Sequence, residues 1–277
     1  MNLQEYTTGL IERKGIYYSK EQSKISYPAS GNDNYFQIEE NSFWFKHRNN
    51  CIIEGVMKYS ANSTFFDVGG GNGFVAKGLE EKGISTVLVE PGIQGCVNAK
   101  KRSLKNVVCS TLENASFVKG KIPAIGLFDV VEHIEHDVDF LKSIYSYLTD
   151  GGFVFITVPA FNVLWSNEDV DAGHFRRYTT KELKRKLQSV GFHIEYSSYI
   201  FSILPIAVFL FRTLPSRLGL HKNSGNLDKH KKEHKSGGLI GIILNYIWDF
   251  EISRIRNGKV IRVGGSCLVI GRKGIRV

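Results

Sequence analysis

A doubly wound α/β fold is what three features of this sequence predict: a mostly parallel, seven-stranded sheet with a helical cap before it and a helical insertion ahead of its last strand. The first is the run Phe65-Phe66-Asp67-Val68 entering Gly69-Gly70-Gly71-Asn72-Gly73, an apolar strand that breaks into a glycine loop and restarts as a helix. The second is the unbroken alternation of apolar runs with helical segments from Thr64 to Tyr199, the pattern of a parallel sheet wrapped by helices. The third is Glu90, which closes the second apolar run seventeen residues after Gly73, near the spacing at which an acid reaches a ribose.

Taken in order, residues 1–60 form the cap, with the dense run Phe43-Trp44-Phe45-Lys46-His47-Arg48 leading into a helix over Arg48 to Tyr59. Two roles are open for these aromatics: stapling that helix to the core, or closing over a ligand together with Arg48. Residues 61–199 form the core. Its strands fall at Thr64 to Val68, Ser85 to Glu90, Asn106 to Cys109, Ile122 to Phe128, Phe153 to Val158 and His193 to Tyr199. Helices start after Gly73, Gly92, Asp137 and Thr179, and Gly191 caps the last of them. Gly265 to Arg272, in residues 260–277, alternates like a seventh strand at the sheet edge.

Residues 200–259 are more than a minimal sheet needs. Tyr196 to Phe211 is sixteen residues without a charge and Gly237 to Trp248 is twelve, both short of the ~20 that a spanning helix requires. Between them, Arg212 to Lys235 holds seven Lys or Arg against two acids. Apolar flanks around a cationic middle suit an anionic membrane surface, and they also suit core helices joined by a solvated loop.

The formal charge of +9 over 277 residues admits nucleic acid, membrane or an acidic substrate as partner. Its concentration in one insertion, with no separate RNA-binding domain, argues against nucleic acid. The first residues lack the basic start and apolar run of a signal peptide, so a cytoplasmic protein, peripheral at most to the inner membrane face, is expected. Cys51, Cys96, Cys109 and Cys267 are far apart without CxxC spacing, which predicts reduced thiols and no zinc site. His133 and His136 have no third ligand near them in sequence, so no metal is expected.

The loop itself distinguishes among nucleotides. A dinucleotide site wants G-x-G-x-x-G, and here the last position is Phe74, with Gly73 before it. An acid, Asp67, precedes the glycines where a pyrophosphate would be repelled; a carboxylate there suits a ligand with an ammonium group, such as the methionine half of S-adenosylmethionine (SAM). A nicotinamide oxidoreductase would also need a Tyr-x-x-x-Lys pair that is missing after the fourth strand.

Asp67 to Gly73, Glu90, Asp129-Val130-Val131-Glu132-His133-Ile134, Gly151-Gly152 and Pro159 resemble the class I SAM-dependent methyltransferases, in particular the type 11, ubiquinone-biosynthesis-like group, over about residues 43 to 199. Leu164-Trp165-Ser166 and Asp171-Ala172-Gly173-His174-Phe175-Arg176-Arg177-Tyr178-Thr179 point to a narrower subgroup. The resemblance implies a Rossmann-like fold, SAM as cofactor and S-adenosyl-L-homocysteine as product. It further implies that Asp67, Gly69, Gly71 and Gly73 hold the amino-acid half of SAM, that Glu90, beside Pro91, holds the ribose, and that Asp129 faces the amino group or the methyl-transfer space; Arg48, closing over the ligand, is a further candidate for cofactor binding. Where relatives carry an acid for the adenine, this chain offers Ser110 and Thr111.

Methyl transfer needs alignment and, for a hydroxyl, a base; His174 and His133 are the catalytic candidates. Trp44, Arg176, Arg177 and Tyr178 are candidates for an anionic, small-molecule or lipid-linked acceptor. Arg176 and Arg177 serve equally well as an ion pair fixing their loop to Asp169 or Asp171. The competing functions are an RNA methyltransferase and a non-catalytic, membrane-attached protein that keeps the fold. Neither the acceptor atom nor the oligomeric state is legible.

Overall fold

The computed structural model describes residues 2–20, 36–219 and 238–275. The chain runs β1 (Ile11–Arg13), β2 (Ile16–Tyr18), α1 (Phe43–Ser60), β3 (Phe65–Val68), α2 (Phe74–Glu81), β4 (Thr86–Val89), α3 (Ile93–Lys101), β5 (Asn106–Cys109), β6 (Ile122–Phe128), α4 (Asp137–Tyr147) and β7 (Leu148–Pro159). It continues through α5 (Asn167–Asp171), α6 (Thr180–Val190), β8 (Phe192–Ile200), α7 (Leu204–Val208), a π-helical turn over Phe209–Thr213, α8 (Leu214–Arg217), α9 (Gly238–Arg256) and β9 (Ser266–Lys273).

The strands form one sheet in the order β1-β2-β5-β4-β3-β6-β7-β9-β8. From β3 the chain lays β4 and β5 to one side and then returns to lay β6 and β7 on the other, all parallel. That reversal opens a crevice at the carboxyl ends of β3 and β6, where such sheets bind ligands. All four residues of β3 and of β4 are buried, as expected for strands covered on both faces.

Seven of the nine strands lie where the sequence puts them, and two corrections apply. The first is in the N-terminal region, which is part sheet: β1 and β2 form a hairpin whose β2 pairs parallel to β5, Ile16 opposite Val107. Its two-residue loop, Lys14-Gly15, has both φ angles positive, 52° and 77°, the mirror-image turn that fits strand twist. Lys at the first position hides that signal, which Asn or Asp would have given. The second concerns the last strand, β9, which is not at the edge. It lies between β7 and β8, antiparallel to both; its run Cys267-Leu268-Val269-Ile270 is fully buried, the mark of an interior strand.

Helix α1 starts at Ser42, whose hydroxyl accepts from the Phe45 amide at 3.3 Å, a standard N-cap. It lays Cys51, Ile52 and Val56 on the sheet and packs along α9, so cap and insertion share one layer. Phe43 stacks on Trp248 and Trp44 on Phe201. Between these stacks the buried His47 ring meets Glu251 of α9 at 2.8 Å. Glu251 also accepts from the amides of Phe201 and Ser202 at 2.8 and 2.6 Å. Burial alone would raise the Glu251 carboxyl, but the bonds from His47 and Ser202 outweigh it and hold it below its ordinary value. Glu251→Gln, which keeps the shape and removes the charge, is expected to cost about 2 kcal/mol in urea unfolding at neutral pH. Because the wild-type carboxyl titrates low, the difference should shrink on acidification; a variant as stable as wild type at pH 7 would show the pair to be inert.

Among the described residues no helix is long and apolar enough to cross a membrane. Most of the basic segment, residues 220–235, lies outside the described residues.

Candidate functional site at the carboxyl ends of β3 and β6

The loop after β3 is built for close approach. Gly69 has φ +72°, and a Cβ there would meet Val130 Cγ2 at 2.8 Å, so a side chain would both strain the backbone and strike the turn after β6. Across the loop, the Gly71 amide donates to Glu90 Oε2 at 2.9 Å and the Gly92 amide to Glu90 Oε1 at 2.7 Å. The Glu90 carboxylate thus ties the glycine loop to the start of α3. Burial raises its carboxyl, with the Gly92 and Gly71 amides working against that.

A set of residues absent from the sequence-based candidates fixes the loop from outside. Asn72 is 3% exposed; its carbonyl accepts from Arg102 Nη1 at 2.8 Å, its side chain donates to Glu39 at 3.3 Å and accepts from Asn98 at 3.0 Å. Arg102 pairs with Glu39 at 2.8 Å and stacks on Phe74. The available signal was Asn98, a polar residue in the buried stripe of α3. Phe74 lies where a pyrophosphate loop would carry glycine, and its ring packs against Phe45.

Asp67 is fully buried, and a Cβ on Gly70 would strike its carboxylate, so the acid sits directly beneath the loop. The backbone amide of Ala76, in the first turn of α2, faces its carboxylate. Burial pushes its carboxyl up to about 7, opposed mainly by the Arg48 charge.

Pro91 follows Glu90 at the same end of the sheet, and its carbonyl faces the Cys109 thiol at 3.9 Å. Ser110, 2% exposed, donates to Ser19 Oγ at 2.8 Å, and Thr111 Oγ1 accepts from the Asn114 amide at 3.2 Å. Both hydroxyls therefore have bonds within the chain at the position expected for the adenine.

On the other side of the crevice, Asp129 follows β6 with φ +56°. Its Oδ2 pairs with Arg48 Nε at 2.8 Å and its Oδ1 accepts from Thr157 at 3.0 Å. Arg48 also donates to the Phe128 carbonyl at 3.1 Å and lies 5.4 Å from the Trp44 ring. Trp44, Arg48 and Asp129 are thus brought together, with the two charges spent on each other.

Three residues on, in a 3-10 turn over Val131–His133, Glu132 is 1% exposed, and its carboxylate has no hydrogen-bond partner beyond its own backbone amide among the described residues. Burial and the neighbouring Asp129 charge push its carboxyl far up. The rings of His133 and His174 stand edge to face at 4.8 Å between centroids. Burial, followed by repulsion from His174, lowers the His133 value.

The loop bearing His174 is held by Asp169 at the end of a capping box on Ser166. Asp169 accepts from His174 Nδ1 at 2.8 Å and from Arg177 Nε and Nη2 at 2.8 and 2.9 Å. Burial alone would raise its carboxyl; the His174 and Arg177 bonds bring it to about 2. Of the two roles open to the arginines, the geometry matches the ion pair. Arg176 pairs with Asp137 at 2.9 Å. Tyr178 is 2% exposed, with its hydroxyl on Asp137 at 2.7 Å, so it faces the core and not the crevice.

A mostly parallel sheet that reverses between β3 and β6, with a glycine loop and an acid after β4 at its binding edge, is the class I methyltransferase architecture. A family model described as "methyltransferase domain" matches residues 44–197, and the chain belongs to that family. Comparison with curated protein sequences gives no match. Among solved structures, the chain is similar to a Haloferax volcanii protein from a complex of the Trm112 methyltransferase activator with a methyltransferase (TM-score 0.56, 12% identity, 90% of this chain and 95% of that one). It is similar also to Haemonchus contortus phosphoethanolamine N-methyltransferase 2 bound to SAM (0.55, 17%, 91% of this chain and 58% of that one). A third is the plantazolicin methyltransferase BamL bound to S-adenosylhomocysteine and a triazolic desmethylPZN analog (0.53, 16%, 90% and 92%). At these identities the likeness is one of fold.

Proposed function

We propose that this chain is a SAM-dependent methyltransferase acting on a small-molecule or lipid-linked acceptor. The observation that carries the reading is the Glu90 carboxylate bridging the amides of Gly71 and Gly92 at the switch point of a methyltransferase-family sheet. The fit to SAM rests on the close approach enforced at Gly69, on Phe74 in place of a pyrophosphate-loop glycine, and on the buried acid Asp67 beneath the loop, where a pyrophosphate would be repelled. When bound, the cofactor supplies a methyl group activated on a sulfonium, moved by in-line displacement. Glu90 would hold the ribose hydroxyls, and the loop amides the amino-acid half. Arg48 keeps the Asp129 carboxylate facing the transfer space, and the packed layer of α1 and α9 excludes water behind Trp44. His174 and His133 stand on the acceptor side. Calorimetry with SAM and with S-adenosylhomocysteine tests the reading: both should bind the wild type, and failure of both would end it.

The insertion supports a membrane-bound location for the acceptor. Ile206 (71% exposed), Phe211 (79%) and Leu218 (63%) present apolar side chains to solvent, as does Tyr246 on α9. The same segment braces the His174 loop: Arg212 pairs with Glu168 at 2.7 Å, and Thr213 donates to the Leu164 carbonyl at 2.9 Å. Exposed apolar groups next to a sequence rich in Lys favour an anionic lipid surface, which would bring a lipid-linked acceptor to the site. Replacing Ile206 and Phe211 with Asp should weaken flotation with phosphatidylglycerol vesicles on the order of a hundredfold, from about 3 kcal/mol of lost apolar burial. Unchanged flotation, or salt-sensitive RNA binding in its place, would count against the membrane.

A further inference from the structure

We propose that Glu132, His133 and His174 form a binding site for a divalent first-row transition-metal cation facing the acceptor side of the crevice. The proposal rests on the methyltransferase reading and deepens it, because a cation there selects an acceptor with an oxygen able to coordinate.

The three residues offer ligand atoms that all lie within 4.8 Å of one another. A tetrahedral centre with bonds of ~2.1 Å sets its ligands ~3.4 Å apart, so the side chains need draw in by no more than ~1.4 Å. Glu132 is the strongest single indication. It is 1% exposed and its oxygens have no hydrogen-bond partner beyond its own backbone amide among the described residues, which a folded protein does not tolerate without cause. Removing it from water costs stability, and a cation between it and two imidazoles repays that cost.

Both histidines carry the outer bonds that metal-bound imidazoles require. His174 gives Nδ1 to Asp169 at 2.8 Å, which leaves Nε2 as the lone-pair nitrogen of the neutral ring. Asp169 is itself gripped by Arg177 at 2.8 and 2.9 Å, so the carboxylate that orients the imidazole cannot turn. His133 is oriented by the Gly173 backbone. A carboxylate and a backbone group fixing the rings from behind are the usual supports of a His ligand. Asp129, pinned by Arg48 and Thr157, adds negative charge beside the site.

A second group of potential ligands, His47, Cys51 and Glu251, differs in the decisive respect. There the Glu251 carboxylate is satisfied by His47 and two backbone amides, and all three residues are buried, so nothing is left for a cation to do. At Glu132 the carboxylate has no partner beyond its own backbone amide among the described residues, and His174 reaches the surface, its side chain 16% exposed.

Two imidazoles and one carboxylate leave coordination positions open and favour Zn²⁺, Fe²⁺, Co²⁺ or Mn²⁺ over Mg²⁺ and Ca²⁺, which take oxygen ligands. The cation replaces a protein base. It lowers the pKa of a coordinated acceptor hydroxyl, whose proton passes to bulk water, while His174 and His133 serve as ligands and take no proton.

The test uses the untagged full chain, stripped with a chelator and titrated with Co²⁺, whose visible absorption reports nitrogen ligation. One Co²⁺ per chain is expected, with Zn²⁺ displacing it and raising Tm. Glu132→Gln and His174→Gln should each weaken uptake at least tenfold while near-ultraviolet circular dichroism stays that of wild type. A wild-type chain that takes up no Co²⁺, or stoichiometric uptake that survives both substitutions, overturns the proposal. SAM calorimetry on the stripped chain separates the two inferences: SAM binding without Co²⁺ uptake removes only the metal, whereas absence of SAM binding removes the methyltransferase reading whatever the metal does.

Discussion

Glu90→Ala is expected to lower the affinity for SAM on the order of a hundredfold or more, measured by calorimetry, while leaving a folded chain. Two losses add. A hydrogen bond to a charged group is worth about 1.5–3 kcal/mol, and the carboxylate is the acceptor proposed for the ribose hydroxyls. The same oxygens hold the amides of Gly71 and Gly92 at 2.9 and 2.7 Å, so without them the glycine loop loses its tie to α3 and must be ordered by the ligand. Glu90→Gln, which keeps one acceptor oxygen but forces an amide against a backbone donor, should fall between alanine and wild type. S-adenosylhomocysteine, which shares the ribose, should lose as much as SAM. Equal affinity in wild type and Glu90→Ala would remove Glu90 from the site and leave the loop without its proposed ligand.

The second large effect is one of pH. Burial raises the Asp67 carboxyl from 3.8 to about 7, so the folded chain holds a proton on this group that the unfolded chain has released. A raised value contributes stability that is present below pH ~4 and lost as pH climbs to about 7. At 1.36 kcal/mol per unit the loss comes to about 4 kcal/mol. Asp67→Asn does not titrate. Its stability relative to wild type, from urea unfolding, should therefore rise by about 4 kcal/mol between pH 4 and pH 8, most of it below pH 7. A difference that stays constant across that range would mean the carboxyl is ionised throughout, held by Arg48. The acid lies under Gly70 with no exposed surface, so Asp67→Asn should weaken SAM binding less than Glu90→Ala does.

Much of the donor half of the site is legible because it is local. A strand, a glycine loop and a helix follow one another within twenty residues, and Glu90 is one strand further on; their types and spacing carry the chemistry without knowledge of contacts. The acceptor half is assembled from distant pieces. Asp129-Val130-Val131-Glu132-His133 reads as a motif, yet nothing in it tells that Glu132 is buried with no partner beyond its own backbone amide among the described residues. His174 reads as a base, and Arg177 as either an anion ligand or an ion pair to Asp169 or Asp171; that both bond to Asp169 is decided only when α5 folds against the loop. The proposed third metal ligand, His174, lies forty-one residues from His133 in the chain, beyond the reach of a local motif.

By itself the sequence determined the α/β class, seven strand positions, the glycine loop with its acid, and the family resemblance, all of which depend on periodicity and on residue types a few positions apart. Only the tertiary structure decided that β9 lies between β7 and β8, that a Lys14-Gly15 hairpin extends the sheet beyond β5, that α1 and α9 are clasped through His47 and Glu251, and which polar groups at the crevice remain unsatisfied. Strand neighbours and hydrogen-bond partners are set by contacts between segments far apart in the chain, and Glu132 is buried with no partner beyond its own backbone amide among the described residues only once those segments have met.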